Sequence, residues 1–317
     1  MKYKEIMLQE RKLQQFFWWM NERHSIYLKR KRGEPWPWTT DPILQAFKFT
    51  NVYRELDTGT AWLREHIIEP AEKNGWDNLF FNIATYRRYN YSPTAELLGY
   101  LGSDEVNESE ECDYNILKDF IVRQLLYKLH DGIKVFTSAH MLCGNIKGDD
   151  GIMPPTKVEQ VFGISFSKLW NIRHSLEPVK GDTLESAFNR LMVSGVPGYG
   201  RFIWYEVITD LRHTHYLNGA SDIMTWANPG PGARRGIMRL MNLDVRFESE
   251  FAPDNNGLVN SMFVLLQISP EFLDKWMDPL EMRDVEHSLC EWDKYQRVLN
   301  GEGRPRQKFV PPHLRQV

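Results

Sequence analysis

The sequence predicts a mostly α-helical protein in two lobes, and three observations carry that expectation. Apolar residues recur at helical spacing through most of the 317 residues. Period-2 patterns are scarce, with Lys134–Thr137 and Met262–Gln267 the plausible short strands. A break rich in Gly and Pro (Gly144, Gly148, Gly151, Pro154 and Pro155) falls near the middle of the chain. The expected division is a helical lobe with a basic N-terminal helix over 1–150, and over 151–317 a second lobe ending in a long helix and a basic tail.

The first 30 or so residues read as a long helix with Ile6, Leu13, Phe16, Phe17, Met20 and Tyr27 on its apolar side. Gly33-Glu34-Pro35-Trp36-Pro37-Trp38 stops it. Asp41-Pro42 then opens a second helix, with an N-cap followed by proline in the first turn. To about Leu56 this helix is apolar around most of its circumference, so a central, buried position is expected. Further helices fit 60–73, closed by Asn74-Gly75, then 77–90, 94–100 and 114–131. The stretch 102–113 reads as an exposed loop, with six acidic residues between Asp104 and Asp113. Beyond the central break, helices fit 156–171, 182–193, 201–212, 233–243 and 278–299.

Composition narrows the class. With 42% hydrophobic and 26% charged residues the chain reads as soluble and globular, and it has no run of 18 apolar residues that could span a membrane. The start, Met1-Lys2-Tyr3-Lys4-Glu5, is charged and helical in pattern, unlike a signal peptide. Cys112, Cys143 and Cys290 are scattered, which argues against a disulfide framework, a zinc site or an iron–sulfur cluster and makes a reducing cytoplasm the expected compartment. The nine His form no HExxH; His213 and His215 are only a pair, read as structural, so no metal site is expected. No GxxxxGK[ST] occurs, so the chain carries no P-loop kinase signature. A net charge of −3 does not advertise nucleic-acid binding. Its distribution is more informative: Lys29-Arg30-Lys31-Arg32 and the tail Arg304, Arg306, Lys308 and Arg315 place basic ends on an acidic body. The 11 Trp fit either base stacking or an ordinary core.

Val196-Pro197-Gly198-Tyr199-Gly200-Arg201 lies between two helical patterns, Leu184–Val193 and Phe202–Arg212, in the hPGhG arrangement of a helix-hairpin-helix. Glycines let the backbone turn sharply and come close to a partner, and the next helix presents free N–H groups to a phosphate. Val196, Gly198, Tyr199, Gly200 and Arg201 are therefore the expected DNA-contacting residues.

Over roughly 184–243 this hairpin resembles that of the base-excision DNA glycosylases, which implies extrusion of a base into a pocket between two helical lobes. The whole chain is accordingly expected to take a two-lobed, glycosylase-like helix-hairpin-helix fold. The likeness stops at the chemistry. Phe202 stands where glycosylase/lyases carry a nucleophilic lysine, and the turn Trp226-Ala227-Asn228-Pro229-Gly230-Pro231-Gly232-Ala233-Arg234-Arg235 has no carboxylate where those enzymes place an acid, Asp222 coming earlier. A cationic, backbone-rich turn suits an anion better than a cationic sugar.

Three further segments resemble the alpha-glutamyl/putrescinyl thymine pyrophosphorylases, amino acid:DNA transferases of bacteriophages, whose helical domain also accompanies hydroxymethyluracil DNA kinases. They are Pro37–Asp57, with Phe47-Lys48-Phe49-Thr50-Asn51-Val52-Tyr53-Arg54-Glu55-Leu56-Asp57, the Pro229–Arg235 turn, and Val285-Glu286-His287-Ser288-Leu289-Cys290-Glu291-Trp292-Asp293-Lys294-Tyr295-Gln296-Arg297. The resemblance implies double-stranded DNA carrying 5-pyrophosphoryloxymethyluracil as substrate and an amino acid or polyamine as co-substrate. The amine replaces pyrophosphate on the exocyclic carbon. No cofactor is required, because arginines can neutralise the leaving group, although magnesium could arrive with the pyrophosphate. Excision of a modified thymine and non-catalytic DNA binding are the alternatives.

On the last helix, Met282, Val285, Leu289, Trp292 and Leu299 project to one side at 100° per residue, and His287, Glu291, Lys294 and Tyr295 to the other. The polar side is a solvated face unless the resemblance holds, in which case Glu291 is the expected proton acceptor and Lys294 its catalytic neighbour, with His287 and Tyr295 binding substrate. Lys48, Asn51 and Arg54 fall at i, i+3 and i+6 of the expected second helix, where buried cations need Asp57 or a substrate phosphate. Arg87 and Asn90 have a similar claim to substrate. Arg234 and Arg235 are the expected pyrophosphate clamp, with Lys48 and Arg54 as a second group.

Overall fold

The computed structural model describes residues 9–102, 113–138, 145–305, 307–311 and 314. Helices and turns account for the described architecture; no β-strand forms there, and an isolated antiparallel bridge pairs Phe47 with Lys308. Ile6, most of the acidic stretch, Gly144, Cys112, Cys143, Arg306 and Arg315 lie outside the described residues.

The chain opens with α1 (Glu10–Lys31), which buries Leu13, Phe16, Phe17, Trp19, Met20 and His24 and carries Lys29, Arg30 and Lys31 in its last turn, where the helix dipole favours cations. The helix expected over 42–56 does not form. Asp41 caps the amides of Ile43 and Leu44 and Pro42 starts the helix as anticipated, yet α2 (Pro42–Ala46) ends after five residues. The chain then runs extended to a 3-10 turn at Arg54–Leu56. Phe47 to Tyr53 is rich in aromatic and β-branched residues of low helix propensity, and other partners take its backbone donors. Lys48 N donates to Gln307 O (3.2 Å), Thr50 N to a Glu291 carboxylate oxygen (2.9 Å) and Asn51 N to Asp57 Oδ1 (2.8 Å). Satisfied donors leave no need for a helix.

Thr58–Ser221 forms a second compact unit, and the first unit comprises Met1–Asp57 with Asp222–Val317. The boundary expected near residue 150 therefore falls inside the second unit. There, α3 (Thr58–Leu63), a π-helical turn at Arg64–Ile68 and α4 (Glu69–Asn74) make one continuous rod, ended by left-handed Gly75. Next, α5 (Leu79–Tyr89) is buried along its whole length, α6 (Ser92–Leu98) is short, and α7 (Tyr114–His130) is capped by Asp113. A π-helical segment, Glu159–Ser165, leads into α8 (Phe166–Leu176), and α9 (Leu184–Met192) and α10 (Arg201–Leu211) complete the unit. Its core is aromatic: Phe81 meets Trp170, and Phe162 meets Phe166, edge to face at 4.9 Å in both cases. Lys134–Thr137 is irregular rather than a strand.

The chain returns to the first unit for α11 (Pro231–Leu240), α12 (Glu248–Phe251), α13 (Asn255–Phe272) and α14 (Met282–Leu299). Met262–Gln267 lies inside α13, not in a strand. Asp254 caps that helix on Gly257 N at 2.8 Å, and a short apolar run has no periodicity that separates a buried strand from a buried helix. Phe16 meets Trp292 edge-on at 5.6 Å and Phe17 stacks on Phe272 at 4.9 Å. Gly236 brings α11 against α14, since a Cβ there would stand 2.7 Å from Leu289 O. Met282, Val285, Leu289 and Trp292 are buried as expected, but so are Glu291 and Tyr295, while Leu299 is exposed. The two-faced reading of α14 thus fails, and its polar side is interior.

Candidate active site

Residues 48–57 and α14 assemble a charged cluster inside the first unit. Because 47–53 is extended, Lys48, Asn51 and Arg54 do not share a helix face. Asn51 is a pin: its side chain donates to Leu56 O (2.7 Å), its backbone N donates to Asp57 Oδ1 (2.8 Å), and its Oδ1 accepts from Arg23 Nη2 (2.8 Å). Arg23 also donates to Phe49 O at 3.0 Å, and burial lowers its guanidinium to about 10 against the opposing pull of Asp57 and Glu291. Arg54 is buried with Nη1 3.4 Å from His287 Nδ1, and His287 Nε2 stands 3.6 Å from Asp57 Oδ2. Burial alone would raise Asp57. The hydrogen bond and charge of His287, helped by Arg54 and the Asn51 amide, hold it below the ordinary carboxylate value.

Glu291 is similarly enclosed. One oxygen receives Thr50 N at 2.9 Å and lies 2.5 Å from Lys294 Nζ. Burial pushes its carboxyl up, but the charges of Lys294 and His287 and these hydrogen bonds bring it below the ordinary value. Lys294 rests 4.8 Å above the Phe49 ring. Tyr295 donates to Asp41 Oδ2 at 2.8 Å, so its hydroxyl ties α14 to the start of α2. Lys48 is exposed.

The turn before α11 differs from its linear reading. No carboxylate stands in its sequence, yet Glu286 of α14 places Oε1 3.1 Å from Gly230 N, so the fold supplies the missing acid. Burial raises Glu286 above the ordinary value, with Gly230 N, His287 and Arg54 opposing in part. The expected clamp is already engaged. Arg235 donates to the buried Asp293 at 2.9 Å and stands 3.5 Å from Glu248, and Arg234 is also 3.5 Å from Glu248.

Arg23, Thr50 and Glu286 escaped the sequence reading. A usable signal existed for two of them. Arg23 falls at i+3 from Met20 and i+7 from Phe16, and Glu286 at i+4 from Met282 and i−3 from Leu289, so each is a charge on an apolar stripe. Thr50 acts through its backbone and had none.

Within the second unit, α9, the turn 193–200 and α10 form a helix–turn–helix. Val196 and Tyr199 are buried and anchor the turn, Tyr199 donating to Ala84 O at 3.0 Å, so they are not surface contacts as expected. Gly198 has φ +80, a left-handed value, and a Cβ there would meet Arg88 and Ile146 at 2.8 Å. Gly200 is the N-cap of α10 with open space around it. Arg201 is exposed with its guanidinium 5.4 Å from the Phe188 ring centre, and Phe202 is 54% exposed. Arg87 is buried in an ion pair with Asp210, donates to Thr60 Oγ1 at 2.7 Å and reaches Asn90 Oδ1 at 3.4 Å. Those contacts make Arg87 and Asn90 interior braces of this unit. His215 pairs with Glu72 at 2.6 Å. Among the described residues no His, Cys, Asp and Glu grouping could hold a metal ion, and no helix is long and apolar enough to cross a membrane.

The profile of the family described as "5-hmdU DNA kinase, helical domain" matches residues 10–304. This chain belongs to that family. Among curated proteins, a 5-hmdU DNA kinase of Bacillus phage SP10 is 25% identical over 300 residues, covering 86% of this chain and 43% of the relative. The chain thus spans less than half the length of that kinase. No solved structure matches it. The span matched to the helical-domain family takes in the whole charged cluster, from Arg23 to Lys294, and the α9–α10 turn.

Proposed function

We propose that the chain acts on a modified thymine in DNA, transferring an amino acid or polyamine amine onto 5-pyrophosphoryloxymethyluracil with release of pyrophosphate. The observation that carries this reading is the enclosed cluster of Arg23, Arg54, His287 and Lys294 with Asp57, Glu286 and Glu291. Such a cluster combines cations for a departing anion with carboxylates of unlike basicity for proton transfer. Arg54, Lys294 and the exposed Lys48 stabilise pyrophosphate as charge gathers on its oxygens, and Arg23 and Asn51 hold the 49–57 segment in place. The phage relative named for its action on 5-hmdU in DNA supports a substrate of this base class.

The DNA is held by the hairpin of a glycosylase-like helix-hairpin-helix fold. The left-handed Gly198 and the N-cap Gly200 turn the chain into α10, and in this reading the positive end of that helix, with the exposed Arg201, meets a phosphate. The target base is extruded from the duplex for reaction. Phe202 offers no amine for a covalent imine, which disfavours glycosylase/lyase chemistry.

A second reading has its own observation. The chain belongs to a helical-domain family and spans 43% of a kinase, so it also suits a DNA-binding module that presents the base to a kinase. Mass spectrometry of nucleosides, after incubation with pyrophosphorylated DNA and candidate amines, separates the possibilities. A mass gain on the base supports transfer, a released base would mean excision, and unchanged DNA that is nonetheless bound would favour the module.

A further inference from the structure

We propose that Glu286, rather than Glu291, is the catalytic proton acceptor for the incoming amine. The assignment rests on the transfer reading above and identifies the base within it.

Glu291 is a poor acceptor because its carboxylate is already occupied. Lys294 stands at 2.5 Å and Thr50 N at 2.9 Å on the same oxygen, and the net effect holds it ionised to lower pH than a free glutamate. Glu286 differs in each respect. Its Oε1 takes a backbone hydrogen bond from Gly230 N at 3.1 Å rather than a lysine. The Gly230 bond aims the carboxyl into the turn before α11, and the charged groups that act on it are His287, the next residue of α14, and Arg54 of the 3-10 turn. Burial makes it the more basic carboxylate of the two, although both cations oppose that shift. A base whose affinity for protons lies closer to that of the donor removes them more readily. Cys290, one turn along α14, is pushed up to about 12 by burial, with Glu291 and Glu286 adding to the effect, so it remains a neutral thiol.

The step balances. The ammonium of the co-substrate gives one proton to the Glu286 carboxylate and becomes a neutral amine. Its lone pair forms the C–N bond to the exocyclic carbon while the C–O bond breaks, and pyrophosphate leaves with that electron pair. The product is a secondary ammonium on the base, and Glu286 returns its proton to solvent.

The test measures single-turnover transfer on pyrophosphorylated DNA, with glycine, glutamate and putrescine as amine probes, across pH for wild type, Glu286→Gln, Glu286→Asp and Glu291→Gln. Glutamine keeps the acceptor for Gly230 N. Glu286→Gln should lose roughly 10²–10⁴-fold in rate near neutral pH, leave DNA affinity within about threefold, and exchange the acidic limb set by the carboxyl for a rise at higher pH that follows deprotonation of the free amine. Glu286→Asp should recover part of the rate together with that limb. Independently, carboxyl-carbon NMR of the wild-type protein should show Glu286 titrating above ordinary glutamates. The wild-type acidic limb surviving unshifted in Glu286→Gln, or a Glu286 carboxyl titrating at or below the ordinary value, overturns the assignment and leaves transfer standing. No transfer by the wild type with any probe overturns the transfer reading and this assignment with it.

Discussion

Lys294 Nζ lies 2.5 Å from Glu291 Oε2, three residues earlier on the same helix, and that oxygen also receives the Thr50 amide at 2.9 Å. An i,i+3 pair on a solvated helix contributes a few tenths of a kcal/mol. Here both partners lie against the extended stretch 47–53, through Thr50 and Phe49, so the pair holds that stretch against α14. Glu291→Gln leaves Lys294 without its counter-charge in a largely dry site and should destabilise by about 2–4 kcal/mol. Its loss of transfer should not be rescued by raising pH, because Glu291 supports structure rather than taking the proton. Glu291→Gln with Lys294→Met should be less destabilising than the sum of the two single changes. Urea denaturation of the three variants checks this, and strict additivity would separate the pair.

Gly200 offers a test of the hairpin in which stability and binding move oppositely. It is the N-cap of α10 and has open space where a side chain would go. Aspartate is a better N-cap than glycine by a few tenths of a kcal/mol, yet its charge would repel a phosphate there. Gly200→Asp should keep or slightly raise the melting temperature while weakening DNA binding by about tenfold or more at low salt, with a shallower salt dependence. Unchanged affinity would remove the turn from the DNA interface. Gly198 is a less clean probe, because its left-handed backbone and its closeness to Arg88 and Ile146 make any side chain disruptive.

The two arginines of the α11 turn should separate. Arg235 donates to the fully buried Asp293, whose other oxygen is held by Arg239 at 2.8 Å, whereas Arg234 stands only 3.5 Å from the partly exposed Glu248. Arg235→Ala should therefore lower stability by about 1–3 kcal/mol. Arg234→Ala should fold normally and, if Arg234 helps hold pyrophosphate, should slow transfer by up to roughly 10²-fold. Thermal melts with single-turnover rates on both variants decide the matter. Equal rates in Arg234→Ala and wild type would leave the leaving group to Lys48, Arg54 and Lys294.

Asp284 makes a pH prediction. It is buried at the start of α14, where Oδ2 accepts from Glu281 N at 2.8 Å and Oδ1 has no hydrogen-bond partner among the described residues. Burial raises its carboxyl to about 7, with Arg283 opposing. The folded state then binds a proton that the unfolded chain releases near 4, so this group favours folding at low pH and the advantage is lost as pH rises from about 4 to about 7. Asp284→Asn, which retains the acceptor for Glu281 N, should stabilise the protein at pH 8 by roughly 2–4 kcal/mol and flatten the pH dependence between 4 and 7. Denaturation at pH 4, 6 and 8 is the measurement. Equal destabilisation at all three would show that the carboxylate is paired.

Much of the helical framework can be read locally. The capped starts at Asp41, Asp113 and Thr183, the left-handed stop at Gly75 and the Pro-Gly turn before α10 are written in a few adjacent residues, because caps and turns act over one or two peptide units. The apolar stripes of α1 and α14 are equally visible, since they depend only on spacing. Residues 42–56 misled for a related reason: their aromatic and β-branched side chains look like a buried helix, but Glu291, Asp57 and Gln307, which take their amides, are remote or lie beyond the segment.

What the sequence determined by itself is therefore most of the helices, though neither α13 nor the early end of α2, together with the Pro-Gly turn and the presence of charges on otherwise apolar stripes. Only the tertiary structure decided what those charges meet. It turned the polar side of α14 inward, joined Arg23 to Asn51, closed Arg234 and Arg235 onto carboxylates and brought Glu286 to a turn whose own residues contain no acid. The physical reason is that a buried charge must find its counter-charge or donor wherever the chain brings one, and sequence separation places no limit on that choice.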